Sequence, residues 1–114
     1  MHNDCIFCKI VSGSISSEKV YEDDDVFAFR DINPVAPTHI LVIPKEHFST
    51  LNDIPENKLN IISKIYSAIQ KIAKKEGIAE SGYRTIVNTN SMSGQVVFHL
   101  HFHVLGGRQL RGLG

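Results

Sequence analysis

The stretch "FHLHFHVLGG", residues 98–107, holds three of the chain's six histidines at alternate positions, with Leu100 and Phe102 between them. Side chains of an extended segment point alternately to its two faces. A strand here puts His99, His101 and His103 on one face and Leu100, Phe102 and Val104 on the other. One face is core; the other is imidazole. Three solvated histidines on an exposed face would cost little, yet threonine, lysine or glutamate would serve there equally well, so the pattern points to chemistry.

Two chemistries fit. Imidazole is a common ligand for zinc and iron, but alternate strand positions separate Cβ atoms by about 7 Å, so two rings converge on one ion more easily than three. The other is nucleophilic catalysis, in which one neutral imidazole attacks an electrophile while its neighbours position it and stabilise charge. Upstream, the small and glycine residues of "NTNSMSGQ" predict a nest of main-chain N–H groups turned towards an anion, and downstream "GGR" ends the strand. A phosphate beside neutral imidazoles suggests phosphoryl or nucleotidyl transfer.

Further out, "KVYED" and "DVFAFRD" predict a hairpin about the acidic turn Asp23-Asp24-Asp25. "THILVIP", with its unbroken apolar run Ile40 to Ile43, predicts a buried central strand. A helix is expected from an Asp53 N-cap with Glu56 three residues on and Pro55 in the first turn. Leu59, Ile62, Ile65, Tyr66, Ile69, Ile72 and Ala73 draw its apolar stripe, and Gly77 stops it. That helix reads as packing rather than chemistry. "YRTIVNT" and "VVFHLHFHVL" give two more strands joined by "NSMSG". Four or five strands with one long helix between them indicate an α+β, antiparallel-rich sheet covered on one face.

At 114 residues the chain suits one domain, 1–114, without repeats or linker-like tracts. Lys plus Arg and Asp plus Glu each number 12, so there is no electrostatic footprint for general nucleic-acid binding. No apolar run approaches the roughly 20 residues of a membrane helix, and "MHNDCIFCKI" lacks the basic and apolar segments of a leader. The expectation is a cytoplasmic protein with no membrane partner. In such a reducing compartment Cys5 and Cys8, a C-x-x-C pair, read as metal-binding or redox-active before they read as a structural disulfide. A zinc site needs about four ligands, and two histidines would complete the set. A redox role is less favoured, because nothing nearby resembles a thioredoxin-like βαβ unit. Two reduced thiols packed with Ile6 and Phe7 in an N-terminal turn are the structural alternative.

These residues carry a family resemblance. "HLHFHVL" resembles the signature of the histidine triad (HIT) family, and "DINPVAPTHILVIPKEH" with "NTNSMSGQVVFHLHFHVLGGR" resembles its HINT branch of nucleoside phosphoramidate hydrolases. The likeness runs from "CIFCKI" to "GGR". It implies a HIT-like fold, with a five-stranded sheet, one long helix and a short N-terminal helix. It also implies hydrolysis of purine nucleoside 5′-phosphoramidates or related nucleotidyl substrates, through a covalent nucleotidyl-histidine, with release of AMP or its like. His101 would be the nucleophile, its Nδ1–H held by a main-chain carbonyl. His103 would donate to the phosphate, and His39 would orient the cluster.

By the same resemblance Phe29 and Ile32 wall the base pocket with Ile15 at its edge, and Asp31 accepts from the ribose hydroxyls. Asn88, Gly94 and Gln95 line the phosphate side. Val96 stands where many HINT proteins have serine, which removes a hydroxyl donor and motivates an alternative reading as a purine-nucleotide sensor with vestigial hydrolysis. The tail "RQLRGLG" lacks the tryptophan and prolines of many eukaryotic members. Catalysis needs no cofactor, and zinc-bearing relatives imply a structural zinc on Cys5, Cys8, His47 and His99, although some HINT proteins lack the metal. HINT proteins are homodimers, and Ile61, Ala68 and Ile72 are the helix residues expected at such an interface.

Overall fold

In the computed structural model, which describes residues 4–113, the chain runs α1 (Ile6–Ser12), β1 (Lys19–Glu22), β2 (Val26–Arg30), β3 (Thr38–Pro44), α2 (Ile61–Lys75), β4 (Tyr83–Val87) and β5 (Phe102–Gly106). Residues 1–3, at the head of the stretch read as lacking a leader, lie outside the described residues, as does residue 114. The strands form one antiparallel sheet in the order β1-β2-β3-β5-β4. This is the five-stranded sheet with one long and one short helix that the sequence led us to expect.

All seven residues of β3 are buried, because the strand is central and both sheet faces are covered, by α2 on one and α1 on the other, which corrects the expected cover on one face alone. Towards α2 lie Ile40 and Val42, packed with Val26, Ala28, Phe102 and Val104. Towards α1 lie Leu41 and Ile43, with Phe27, Phe29, Phe7 and Ile10. The histidines share this second face, since Leu41 is the register partner of His103. The β1–β2 hairpin closes as expected at its acidic turn, where Asp23 Oδ1 accepts from the N–H groups of Asp25 and Val26 at 2.8 Å each.

Helix α2 begins at Ile61, eight residues after the expected Asp53 cap. Pro55 is the reason: the residue before a proline is pushed out of the helical region, and Ile54 is extended with ψ 119°. Two short 3₁₀ turns, Leu51–Asp53 and Glu56–Lys58, fill the gap, and Asp53 accepts from the Thr50 hydroxyl instead of capping α2. The buried helix face is Ile61, Ile65, Ala68, Ile69, Ile72 and Ala73, while Leu59 and Tyr66 are exposed. Ile61, Ala68 and Ile72 thus pack into the chain's own core, which corrects their placement at a subunit interface. Gly77, at φ 74°, ends the helix, and the N–H of Ile78 reaches back to the Ala73 carbonyl.

Strand β5 starts at Phe102 rather than at residue 96. Phe102 is where the pairing ends, with β3 through Val42 and with β4 through Val87, the last residue of that strand. The segment before it stays extended enough to keep the alternation. Leu100 remains in the core with its N–H on the Phe48 carbonyl at 2.7 Å.

Candidate active site

His99, His101 and His103 lie on one side of the β5 segment, and His39 on β3 closes on them from the neighbouring strand. His101 is buried, and its Nδ1 lies 2.7 Å from the His99 carbonyl oxygen. A carbonyl only accepts, so the ring donates from Nδ1, and in the neutral imidazole Nε2 carries the lone pair. Burial pushes the His101 pKa below its ordinary value, against the opposing pull of the His99 carbonyl and the Asp31 charge, so the ring is neutral near pH 7. The nucleophilic form is the resting form.

His103 Nδ1 is 2.9 Å from His39 Nε2, and His39 Nε2 is 3.4 Å from Asp31 Oδ2. Burial, then the neighbouring His101 and His39, push the His103 pKa down to about 4, with Asp31 opposing; burial likewise lowers that of His39. An unfolded histidine takes up its proton near pH 6.5, whereas the folded His103 stays neutral until about pH 4. The unfolded chain therefore binds more protons in that window, and stability rises with pH across it. Denaturant titrations are expected to lose roughly 2 kcal/mol from His103 between pH 6.5 and 4, a value below the full linkage figure because the ring keeps some contact with water. Stability that is flat across this window would contradict a neutral His103.

The first histidine has a different setting. His99 is fully buried and donates from Nε2 to the Pro44 carbonyl at 2.8 Å, so its Nδ1 points at sulfur. Nδ1 lies 3.3 Å from Cys5 Sγ and 3.5 Å from Cys8 Sγ, and His47 Nδ1 lies 3.4 Å from Cys8 Sγ. The ligand atoms of Cys5, Cys8, His47 and His99 all lie within 4.8 Å of one another. Zinc–sulfur and zinc–nitrogen bonds at a tetrahedral angle span an edge of about 3.6 Å, close to these three sulfur–nitrogen separations, so this cluster could bind zinc. Outer hydrogen bonds of the kind metal-bound histidines make are also in place, from His99 to Pro44 and between His47 Nε2 and Ser49 Oγ at 3.3 Å.

With this geometry established, comparison with known proteins gives a consistent result. The sequence model of the HIT domain family matches residues 12–110. The chain belongs to the HIT family. It is 50% identical over 110 residues to the purine nucleoside phosphoramidase of Escherichia coli (strain K12), covering 96% of this chain and 92% of that one. It is 46% identical over 107 residues to the 14 kDa zinc-binding protein of Zea mays, covering 92% and 83%. A histidine triad protein from Clostridium difficile superposes with a TM-score of 0.97 at 53% identity, over 100% and 99% of the two chains. A HIT family hydrolase from Legionella pneumophila gives 0.91 at 48% identity, over 94% and 96%.

The remaining expected HIT site residues are placed unevenly. Phe29 is buried against Phe7, ring centroids 5.4 Å apart, whereas Ile32 is 91% exposed on the loop after β2 and Ile15 lies at the surface. Asp31 Oδ1 accepts from the Asn33 N–H at 2.8 Å, so the carboxylate both shapes its turn and approaches His39. Asn88 follows β4 and is half-buried, and Val96 is 84% exposed. Gln95 is buried, with Oε1 accepting from the Asn90 N–H and Nε2 donating to the Ser49 and Val97 carbonyls, which makes it a brace for the loop.

The expected nest needs correction at its centre. The N–H groups of Ser93, Gly94 and Gln95 turn inward to the Asn90 and Ser91 carbonyls, because the left-handed Gly94 closes a 3₁₀ turn there. Sequence reasoning missed Phe7 as a site residue. Its ring meets His101 edge-on at 5.2 Å, and the only signal was its position between the two cysteines.

Proposed function

We propose that this chain is a hydrolase that cleaves purine nucleoside 5′-phosphoramidates, or related nucleotidyl substrates, through a covalent nucleotidyl-histidine. The observation that carries this reading is the 2.7 Å bond from His101 Nδ1 to the His99 carbonyl, which leaves the Nε2 lone pair on a buried, neutral ring. That lone pair attacks the α-phosphorus, the bond to the leaving group breaks, and water then hydrolyses the phosphorus–nitrogen bond to release the nucleoside monophosphate. His103 donates to a phosphoryl oxygen as negative charge develops there. His39 orients His103. Phe29, Ile32 and Ile15 form the base side, Asp31 takes the ribose hydroxyls, and Asn88, Gly94, Gln95 and Val96 shape the phosphate side.

Zinc on Cys5, Cys8, His47 and His99 has a structural role in this reading. It would tie α1 to the residue whose carbonyl holds His101, and the chemistry needs no cofactor. We place the enzyme in the cytoplasm as a homodimer, as its family suggests. The exposed Val96, which offers no hydroxyl to the leaving group, favours a second reading as a nucleotide sensor with weak turnover.

Intact-mass spectra after brief exposure to an adenosine phosphoramidate separate the two. The hydrolase reading expects an added adenylyl group on His101 and multiple turnovers. Tight AMP binding by calorimetry, with neither adduct nor turnover on several phosphoramidates, would replace it with the sensor.

A further inference from the structure

The loop between β2 and β3 does something that its side chains do not reveal. The main-chain N–H of Val35 donates to Nδ1 of His39 at 3.1 Å. The carbonyl of the same residue accepts from Arg108 Nη2 at 2.9 Å. The loop is closed further by the Asp31 N–H on the His39 carbonyl and by the Asn33 N–H on Asp31. A Cβ on Gly107, whose φ is 92°, would come within 2.9 Å of Pro37 Cβ, so "GGR" and "NPVAP" are packed in direct contact.

We propose that the Val35 N–H, held in place by Arg108, is the positioning group that fixes where protons sit in the imidazole cluster. It keeps His39 protonated on Nε2 and thereby compels His103 to carry its own proton on Nε2. Neutral imidazole has one donor and one acceptor nitrogen. Nδ1 of His39 accepts from Val35, so its proton is on Nε2. That Nε2–H lies 2.9 Å from His103 Nδ1, which must then accept. The remaining nitrogen of His103, Nε2, is left as the donor.

A second proton on His103 would go to Nδ1 and oppose the His39 N–H, and moving the His39 proton to its Nδ1 would oppose the Val35 N–H. Either change costs a buried hydrogen bond. The charged and titratable groups that face His103 are His101 on its own segment, His39 on β3 and Asp31 beyond β2; opposite it on β4 lies Ile86. Their combined effect with burial is the same as that of the loop: His103 meets its ligand as a neutral donor. The bond from Val35 also withholds His39 Nε2 from a metal, although Asp31, His39 and His103 place ligand atoms within 4.8 Å of one another. A ligating nitrogen needs the lone pair that Nε2 here does not have.

The tautomers stand on geometry alone; their effect on turnover rests on the hydrolase reading above. Long-range nitrogen–proton NMR of the labelled protein at pH 7 reads each ring directly. The expected spectrum has His39 and His103 protonated on Nε2, and a His39 protonated on Nδ1 overturns the proposal. Arg108→Ala, at an exposed position, is expected to give a mixture of His39 tautomers and lower kcat about tenfold with little change in KM, the worth of roughly one hydrogen bond. Arg108→Lys, which restores one donor to the Val35 carbonyl, should recover most of both.

Val35→Pro removes the N–H while keeping every imidazole, and is expected to exceed Arg108→Ala in both readouts. If it does not fold, the wild-type spectrum and the two Arg108 variants decide. Unchanged His39 resonances in Arg108→Ala would remove Arg108 from the proposal. Should wild-type protein turn over no nucleotidyl substrate, the hydrolase reading fails while the tautomer spectra still decide this one.

Discussion

His101→Ala is expected to lower kcat on an adenosine phosphoramidate by at least about a thousandfold and to abolish the covalent adduct, while AMP still binds. The size follows from the role. A nucleophile that forms the bond to phosphorus cannot be replaced by its neighbours, because His103 Nδ1 is committed to His39 Nε2 at 2.9 Å and His99 is committed to Pro44 and to the cysteines. The alternative cause of lost activity is lost structure. Removing a buried ring that packs at 5.2 Å from Phe7 leaves a cavity worth about 2 kcal/mol, which a folded domain of this size withstands. Thermal unfolding therefore has to accompany the kinetics. Activity within tenfold of wild type in a folded His101→Ala protein would sink the mechanism.

The shared face of the three histidines was legible in the sequence because a period of two survives where the ladder does not, whereas the choice of His101 among them came only with the family resemblance. Strand β5 begins only at Phe102, yet Leu100 points into the core with Phe102 and Val104, and the histidines share the other side. The central position of β3 was legible for a similar reason, since an apolar run without alternation requires cover on both faces. Boundaries were less so: Pro55 moved the helix start to Ile61 by forcing Ile54 extended, and Asp53 found a local partner in Thr50. Ile61 and Ala68 could be placed on an interface only because periodicity does not say which apolar flank meets the sheet. Least legible of all were contacts made by main chain. The carbonyl that holds His101 Nδ1 was expected only through the family resemblance, and the Pro44 carbonyl on His99 and the Val35 N–H on His39 not at all, because a main-chain group leaves no trace in residue identity.

Removing zinc is the other large expected effect, and its size follows from how far the site is already built. Cys5 caps α1 by accepting the Cys8 N–H at 3.2 Å, so one helical turn presents both sulfurs to His99 and His47. Without a cation the Cys8 thiol disfavours ionisation: burial, then the Cys5 hydrogen bond and charge, push its pKa up to about 11. Metal binding must therefore displace protons, and affinity should fall steeply as pH falls. With free zinc at a thousand times its dissociation constant, binding to the folded state adds about 4 kcal/mol, or roughly 15 °C in Tm for a chain of this length. Chelation of purified protein should show that fall, and zinc added back should reverse it with release of protons to a weakly buffered solution. Cys5→Ser and Cys8→Ser should each abolish the response. The loss should also reach turnover, since His99 links the two sites: its Nδ1 faces the sulfurs and its carbonyl holds His101 at 2.7 Å. A metal-free protein that keeps its Tm and gains nothing from added zinc would reduce the cluster to four packed side chains.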